Sequence, residues 1–552
     1  MSNQQETTKP LPVLVLLGLA SSGLLALAIP NELFVWGNPL FGMIALVPLY
    51  CALRFAGSYK RAFVTGMVFG GAAHGFSSFW LWFFKGFRFW TLGTTTIAYM
   101  VVYAFLGWYL FGALKRGGTL RPFLFAVIWA VFEYAKSFGF LGYPWGLLPY
   151  SWNTILPFNQ VVELFGLYSI SFVLALLNAC IAELLVPLCM HANEEVFAPL
   201  HLLNEQPVLL LPRMLLSNFT RYVERWGWTA IALLYIGLFC AYGFVRMQFL
   251  PEPVNQVSMV LVQHNTDNWL ENDGGQKTLT TCVTLAQAAL EKNPQADLLV
   301  FSETSLVRPW KESVTYYKRN PPGNPLVSLL QTYNVYLFTG APVVLDWETF
   351  KATNSVLLIN PDGTIVDDYA KIHPVPFAES IPFWDVEPFR KFIQEVVGLS
   401  SGWEMGTRYT IFTLPLRTGS EVRFAAPICF EDAFSDLNRI FVKNGIDFLL
   451  NLTNDSWSRR VSAEIQHFVA ARYRSIEYRV PLVRSTNGGL TAVVDIDGTV
   501  LKQFPVFTAL ADSVVVPIYT RTLTPYALLG DWIIAVFAIF LAFCIVITRR
   551  YT

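Results

Sequence analysis

Cys429 is the residue whose type and setting most invite chemistry. It closes an apolar, strand-like run, Arg423 to Ile428, at the point where the pattern turns helical near Asp432. A thiol at such a junction faces the partial positive charge of a helix N-terminus, which favours thiolate, the nucleophilic form. Glu431 and Asp432 follow at once, so the site is more polar than a core cysteine requires. A buried structural cysteine is the competing reading. Two more polar residues punctuate apolar stretches upstream. Glu303 ends Leu298-Leu-Val-Phe-Ser-Glu303, a strand carrying a carboxylate out of its end. Lys371 sits in Tyr369-Ala-Lys-Ile-His-Pro-Val-Pro-Phe-Ala-Glu379, a proline-rich loop where a basic residue has no structural need. Each alone reads more simply as a solvated surface charge. A thiol, a carboxylate and an ammonium brought together would supply nucleophile, general base and oxyanion stabiliser for acyl transfer.

The elements that must position them form a mixed α/β domain over residues 249–527. Short apolar runs predict strands at Val257–Gln263, Asp297–Phe301, Val335–Val344, Ser355–Ile359, Arg423–Ile428, Phe448–Leu452, Pro481–Ser485 and Thr491–Ile496. Residues 275–292 and 461–478 read as helices. Pro361-Asp362-Gly363 and Asp495-Ile496-Asp497-Gly498 are hairpin turns. The paired Asp495 and Asp497 suit strand-turn chemistry better than a metal. Pro251-Glu252-Pro253 marks the boundary with what precedes.

That preceding part is of another kind. The 552 residues are 54% hydrophobic and only 14% charged, with a mean hydropathy of +0.44, which points to several membrane spans. A formal net charge of zero gives no basic surface for nucleic acid. Seven scattered cysteines without CxxC spacing indicate neither a disulfide framework nor a zinc site. Apolar segments near 11–29, 38–56, 62–84, 94–114, 121–138, 160–187, 227–248 and 528–548 predict about eight transmembrane helices. The expected division is a membrane domain, 1–248, with helices one to seven; a catalytic domain, 249–527; and an eighth helix with a cytoplasmic tail, 528–552. Lys9, Arg54, Lys60, Arg61, Lys115, Arg116, Arg121, Arg213, Arg221, Arg225, Arg549 and Arg550 then fall on one, cytoplasmic side. Lys85 and Arg88 are the exceptions. The catalytic domain is expected outside the cytoplasm.

Glu303, Lys371 and Cys429 together resemble the Glu-Lys-Cys triad of the nitrilase superfamily, the carbon–nitrogen hydrolases. Asn454-Asp455-Ser456-Trp457, Gln466-His467, Ala470-Ala471-Arg472 and Arg484-Ser485-Thr486-Asn487-Gly488-Gly489 match that family's later blocks in order and spacing. Phe132-Glu133, Gly142-Tyr143-Pro144-Trp145 and Tyr150-Ser151 extend the resemblance to its membrane-embedded branch, the bacterial apolipoprotein N-acyltransferases. The sequence departs from that pattern where Phe430 replaces a frequent Tyr, where Ser458-Arg459 replaces the usual Phe-Gly, and in a long 188–226 loop.

The resemblance implies an αββα sandwich and a ping-pong N-acyltransferase working through a thioester on Cys429. Glu303 would be the general base, and Lys371, with the backbone N–H after the cysteine, would hold the oxyanion. Glu379 would keep Lys371 charged and aimed, and Glu431 would orient nucleophile or amine. The donor implied is a phospholipid, phosphatidylethanolamine first, through its sn-1 chain. The acceptor is the α-amino group of an N-terminal diacylglyceryl-cysteine on an apolipoprotein. No cofactor or metal is implied, and the location is the bacterial inner membrane with the catalytic domain on the periplasmic side. Trp269, Trp310, Phe377, Phe383 and Trp384 are candidates for a chain-binding lining or lid, with domain core or an interfacial belt as the alternative. Tyr143 and Trp145, on the Gly142–Ser151 loop, would form part of the floor. His373 and His467 receive no catalytic role. A membrane-tethered amidase acting on a small amide is the alternative enzyme, and a transporter or receptor the non-enzymatic one, which Glu133, Lys136 and Glu163 keep open.

Overall fold

The computed structural model describes residues 8–83, 89–191, 210–266, 273–349, 351–376, 378–380, 384, 386–392, 394–395, 402–455 and 457–550. Two six-stranded sheets make up the catalytic domain. Their strands are β1 Asn255–Gln263, β2 Leu298–Val300, β3 Tyr336–Asp346, β4 Lys351–Ile359, β5 Ile365–Ala370, β6 Phe412–Pro415, β7 Glu421–Ala425, β8 Phe448–Thr453, β9 Leu482–Thr486, β10 Ala492–Val494, β11 Val500–Gln503 and β12 Leu510–Ile518. One sheet runs β12-β1-β2-β3-β4-β5 and the other β11-β10-β9-β8-β7-β6. The parallel stretches are β1-β2-β3 and β7-β8-β9.

All eight predicted strands are present, and the four unpredicted ones, β5, β6, β11 and β12, are the four sheet edges. Edge strands carry charges and proline that blunt further pairing, and those same residues erase the apolar signal. Ile365-Val-Asp-Asp-Tyr-Ala370 and Val500-Leu-Lys-Gln503 are such sequences.

Alternation along the strands builds the layers. Val257, Met259, Leu261, Leu298, Val300, Phe338, Val356 and Leu358 face the other sheet, and Phe338 meets Phe412 and Phe424 edge-on at 5.1 Å. Val260, Val262, Leu299, Phe301, Leu337 and Leu357 face outward under the helices Gln276–Lys292, Trp310–Tyr317 and Leu326–Tyr333. The helices Ser435–Lys443 and Val461–Tyr478 belong to the second sheet's side. The result is the expected αββα sandwich. Both predicted turns form, with Gly363 and Gly498 at positive φ and Asp497 accepting the N–H and hydroxyl of Thr499.

Among the described residues four helices are long and apolar enough to cross a membrane: Leu11–Ala28, Phe89–Arg116, Leu167–Val186 and Trp226–Gln248. Pro39–Arg54 and Trp532–Val546 are apolar but shorter. The remaining expected segments contain the helices Tyr59–Ser77 and Arg121–Ser137, which fall short in length or apolarity. Lys85 and Arg88 lie outside the described residues.

The helix Val461–Tyr478 joins the halves, and every residue from Ser462 to Tyr478 is buried. Gln466 donates to the carbonyls of Pro30 (2.8 Å) and Ser77 (3.0 Å) and accepts from Trp80 Nε1 (3.1 Å). Arg479, just beyond the helix, pairs with Glu163 at 2.5 Å, which also holds Arg246 at 2.8 Å.

Candidate active site

Glu303 and Cys429 both sit where the chain leaves a sheet. Glu303 follows β2, and its neighbour Thr304 has φ +51°. Gly340 on β3 is required there, since a Cβ would lie 2.4 Å from the Thr304 nitrogen. Cys429 itself has φ +51° and opens a five-residue 3-10 turn, Cys429–Ala433, with the helix Ser435–Lys443 beginning only afterwards. A non-glycine residue in that region costs about 1–3 kcal/mol and persists only where its surroundings over-determine it. Asn451 supplies part of that constraint by donating to the carbonyls of Pro427 (2.9 Å) and Cys429 (3.0 Å).

Glu431 supplies the rest. Its buried carboxylate accepts the N–H groups of Ile428 (2.7 Å), Ile372 (2.7 Å) and His373 (2.8 Å), and the Tyr369 hydroxyl at 3.0 Å. One side chain therefore fixes the Cys429 turn to the loop bearing Lys371. Burial pushes its carboxyl up to about 7 against those donors. Glu431 thus ties together the two segments that carry Cys429 and Lys371.

Lys371 and Glu303 are 3% and 4% exposed, with Nζ 3.6 Å from Oε1. Glu379 grips the same ammonium at 2.8 and 2.9 Å and accepts the Val375 N–H at 2.7 Å. Burial lowers the lysine's hold on its proton, but Glu379 and Glu303 outweigh it and raise the ammonium well above its ordinary value. Burial raises the Glu303 carboxyl, opposed by Lys371, which suits the role of base expected of it. Asn354 donates to both carboxylates, at 2.7 Å to Glu303 and 3.2 Å to Glu379. The Asn454 N–H completes the Glu303 shell at 2.8 Å. Asn354 carried no sequence signal, because an asparagine inside β4 looks like any polar interruption.

Cys429 lies within the charge field of Glu303 and Lys371. The expectation that a helix N-terminus would favour its thiolate is corrected by the structure. The side chain opens partly to the surface, yet the surrounding protein desolvates it and Glu303 repels a second negative charge. The thiol is held well above its ordinary value, with Lys371 opposing. A neutral thiol beside a carboxylate calls for proton removal during attack rather than before it.

The membrane half reaches the residue that follows Cys429. Trp145 stacks on Phe430 with centroids 5.1 Å apart and planes at 12°, and Tyr143 stacks on Trp145 at 5.3 Å. Lys136 donates to the Trp145 carbonyl at 2.8 Å, and Glu133 accepts the Leu148 N–H at 2.8 Å. These polar groups shape the loop. Trp310, by contrast, is core: it is 1% exposed, stacked on Tyr317 at 4.7 Å and bonded to the Gly363 carbonyl at 2.9 Å. It sits in the outer layer behind the first sheet. Trp384 is half-buried. Trp269, Phe377 and Phe383 lie outside the described residues.

Behind the turn lies a closed ionic ring. His467 contacts Asp432 and Asp455 at 2.9 Å, and Arg484 contacts the same two at 2.6 and 3.1 Å. Although burial opposes it, these carboxylates push His467 up to about 9. Among the described residues no cluster of three or more His, Cys, Asp or Glu is arranged to hold a metal.

Residues 21–180 match the Apolipoprotein N-acyltransferase N-terminal domain and residues 261–512 the Carbon-nitrogen hydrolase family. Apolipoprotein N-acyltransferase 2 of Treponema denticola is 37% identical over 96% of both chains. Apolipoprotein N-acyltransferase 2 of Treponema pallidum is 34% identical over 94% of this chain and 92% of its own. The solved structure of Saccharomyces cerevisiae Nit3, a member of branch 10 of the nitrilase superfamily, aligns over 48% of this chain and 91% of its own, with 18% identity and a TM-score of 0.34. With both halves matched in order and relatives aligned end to end, the chain belongs to the apolipoprotein N-acyltransferase family.

Proposed function

We propose that Cys429 carries a fatty acyl chain from a phospholipid to the α-amino group of an apolipoprotein's N-terminal diacylglyceryl-cysteine. The observation that carries this reading is the convergence of Glu303, Lys371 and Glu379 on the cysteine's surroundings, above a floor given by the membrane half.

In the first half-reaction the Cys429 sulfur attacks the ester carbonyl while Glu303 takes the thiol proton. The tetrahedral oxyanion faces the Lys371 ammonium and the backbone N–H of Phe430. Collapse breaks the ester C–O bond, Glu303 returns the proton to the leaving alcohol, and a lysophospholipid departs from the thioester. In the second, the neutral amine attacks the thioester, Glu303 takes the nitrogen's proton, and the thiol is restored as the amide forms.

A membrane-embedded site follows from the substrates. Lifting an acyl chain into water costs about 0.8 kcal/mol per CH₂, so the sulfur must stand at the lipid surface. The full reading has eight transmembrane helices in 1–248 and 528–552, with the domain 249–527 on the periplasmic face of the inner membrane. Phosphatidylethanolamine, through its sn-1 chain, is the proposed donor.

Intact mass of the full-length protein after exposure to one defined phospholipid tests the reading. A gain of one acyl group is expected on the wild type and none on Cys429→Ala. Equal acylation of the variant would place the nucleophile elsewhere. Hydrolysis of small amides without transfer to a diacylated lipopeptide would favour an amidase.

A further inference from the structure

Arg459 and Arg460 lie where the catalytic domain meets the membrane half, and acyl transfer as described uses neither. Arg459 stands where the family resemblance expects glycine, and its backbone keeps the left-handed conformation, φ +51°, that glycine suits. The strained position has been given a long cationic side chain that is exposed. Its Nη1 donates to Asn265 Oδ1 at 2.9 Å, and the guanidinium sits 5.7 Å from the Phe507 ring. Arg460 lays its guanidinium 3.9 Å over Phe83, and its Nε is buried without a hydrogen-bond partner.

Among the described residues neither arginine forms an ion pair. The nearby carboxylates are engaged elsewhere: Glu32 accepts the N–H and hydroxyl of Ser462, and Asp455 belongs to the ring with His467 and Arg484. Burial raises the Glu464 carboxyl and Asp455 raises it further, with Arg484 and Arg459 opposing. Two guanidinium groups with no ion pair among the described residues therefore border an apolar wall of Phe83 and the Trp80–Trp457 pair, whose rings lie 5.6 Å apart. Guanidinium forks match phosphate oxygens in geometry and charge, while the wall suits the apolar part of the same molecule. The loop is continuous with Asn454, whose N–H holds Glu303 at 2.8 Å.

We propose that Arg459 and Arg460 bind the phosphodiester of a phospholipid headgroup and so select phosphate-bearing lipids over neutral glycerolipids. The proposal rests on the acyl-transfer reading for its biological sense and deepens it by naming what the donor site recognises. Ether-linked lipids, which have no ester to transfer, separate the two. With full-length protein in detergent micelles, binding of a dialkyl phosphatidylethanolamine is compared with that of the matching dialkylglycerol. The wild type should prefer the phosphate-bearing lipid about tenfold or more, as one or two charge-assisted hydrogen bonds predict. The double variant Arg459→Gly, Arg460→Gln should lose that preference, and Arg460→Lys alone should keep part of it. Because Arg459→Gly relieves backbone strain, loss of binding there does not come from a distorted loop. An unchanged preference in the double variant would overturn the proposal, as would a wild type that binds both lipids alike. Displacement of the lipid by equimolar inorganic phosphate would overturn the headgroup assignment. Failure of the acyl-transfer reading would show instead as an absent acyl-Cys429 with an ester-linked donor.

Discussion

Trp145 and Phe430 lie face to face, 5.1 Å apart at 12°, so the residue beside Cys429 is backed by a side chain from the other half of the protein. The same indole also touches the His467 ring at 5.6 Å, linking the floor to the ionic ring behind the turn. Trp145→Ala should lower kcat/KM for acyl transfer by tenfold or more, and Trp145→Phe should retain most of it. Steady-state kinetics on protein checked for an unchanged fold would decide, and full activity in Trp145→Ala would refute a positioning role.

Glu431 binds three backbone N–H groups and the Tyr369 hydroxyl at once. Glu431→Gln preserves shape but turns an amide donor toward some of those N–H groups. Leaving buried donors unpaired costs about 1–3 kcal/mol each. The variant should lose roughly 100-fold or more in kcat and melt at lower temperature, as differential scanning fluorimetry beside acyl-enzyme kinetics would reveal.

The Glu303 carboxyl is raised by burial, and in the proposed mechanism only its ionised form accepts the thiol proton. Activity should therefore climb with pH along a limb lying above the ordinary carboxylate range of about 4.3. Lys371, held charged by Glu379 and Glu303, should impose no falling limb near neutrality. Glu303→Gln should erase the rising limb and slow acylation by about 10²–10⁴-fold. A kcat/KM profile in which the variant retains that limb would assign the base elsewhere.

His467 is raised to about 9 by Asp455 and Asp432, against the opposing effect of burial. The folded protein holds that proton more tightly than the unfolded chain, where histidine titrates near 6.5. Its stabilising contribution is thus complete below about 6.5 and disappears as pH rises through about 9. Melting temperature plotted against pH should fall across this window in the wild type and be flatter in His467→Gln.

Trp310 belongs to the packed layer behind the first sheet. Trp310→Phe should cost roughly 1–3 kcal/mol through lost packing and an unpaired Gly363 carbonyl, while the folded fraction keeps its kcat/KM. Altered kinetics at unchanged stability would return it to the site.

Glu303, Lys371 and Cys429 were legible in the sequence because each breaks or ends an apolar run, and inner strands advertise themselves by apolar content. The edges β5, β6, β11 and β12 were not, since the charges and proline that protect an edge look like loop. Asn354 and Asp432 acquire meaning only when β4 and the 3-10 turn bring them to their partners, at separations in sequence that no local pattern encodes. An aromatic residue reads alike in core and site, so Trp310 and Trp145 were indistinguishable until packing sent one behind a sheet and the other under Phe430. The protonation of Cys429 was likewise decided in three dimensions. Local sequence promised a helix N-terminus, whereas burial and the nearby Glu303 carboxylate set the thiol's affinity for its proton.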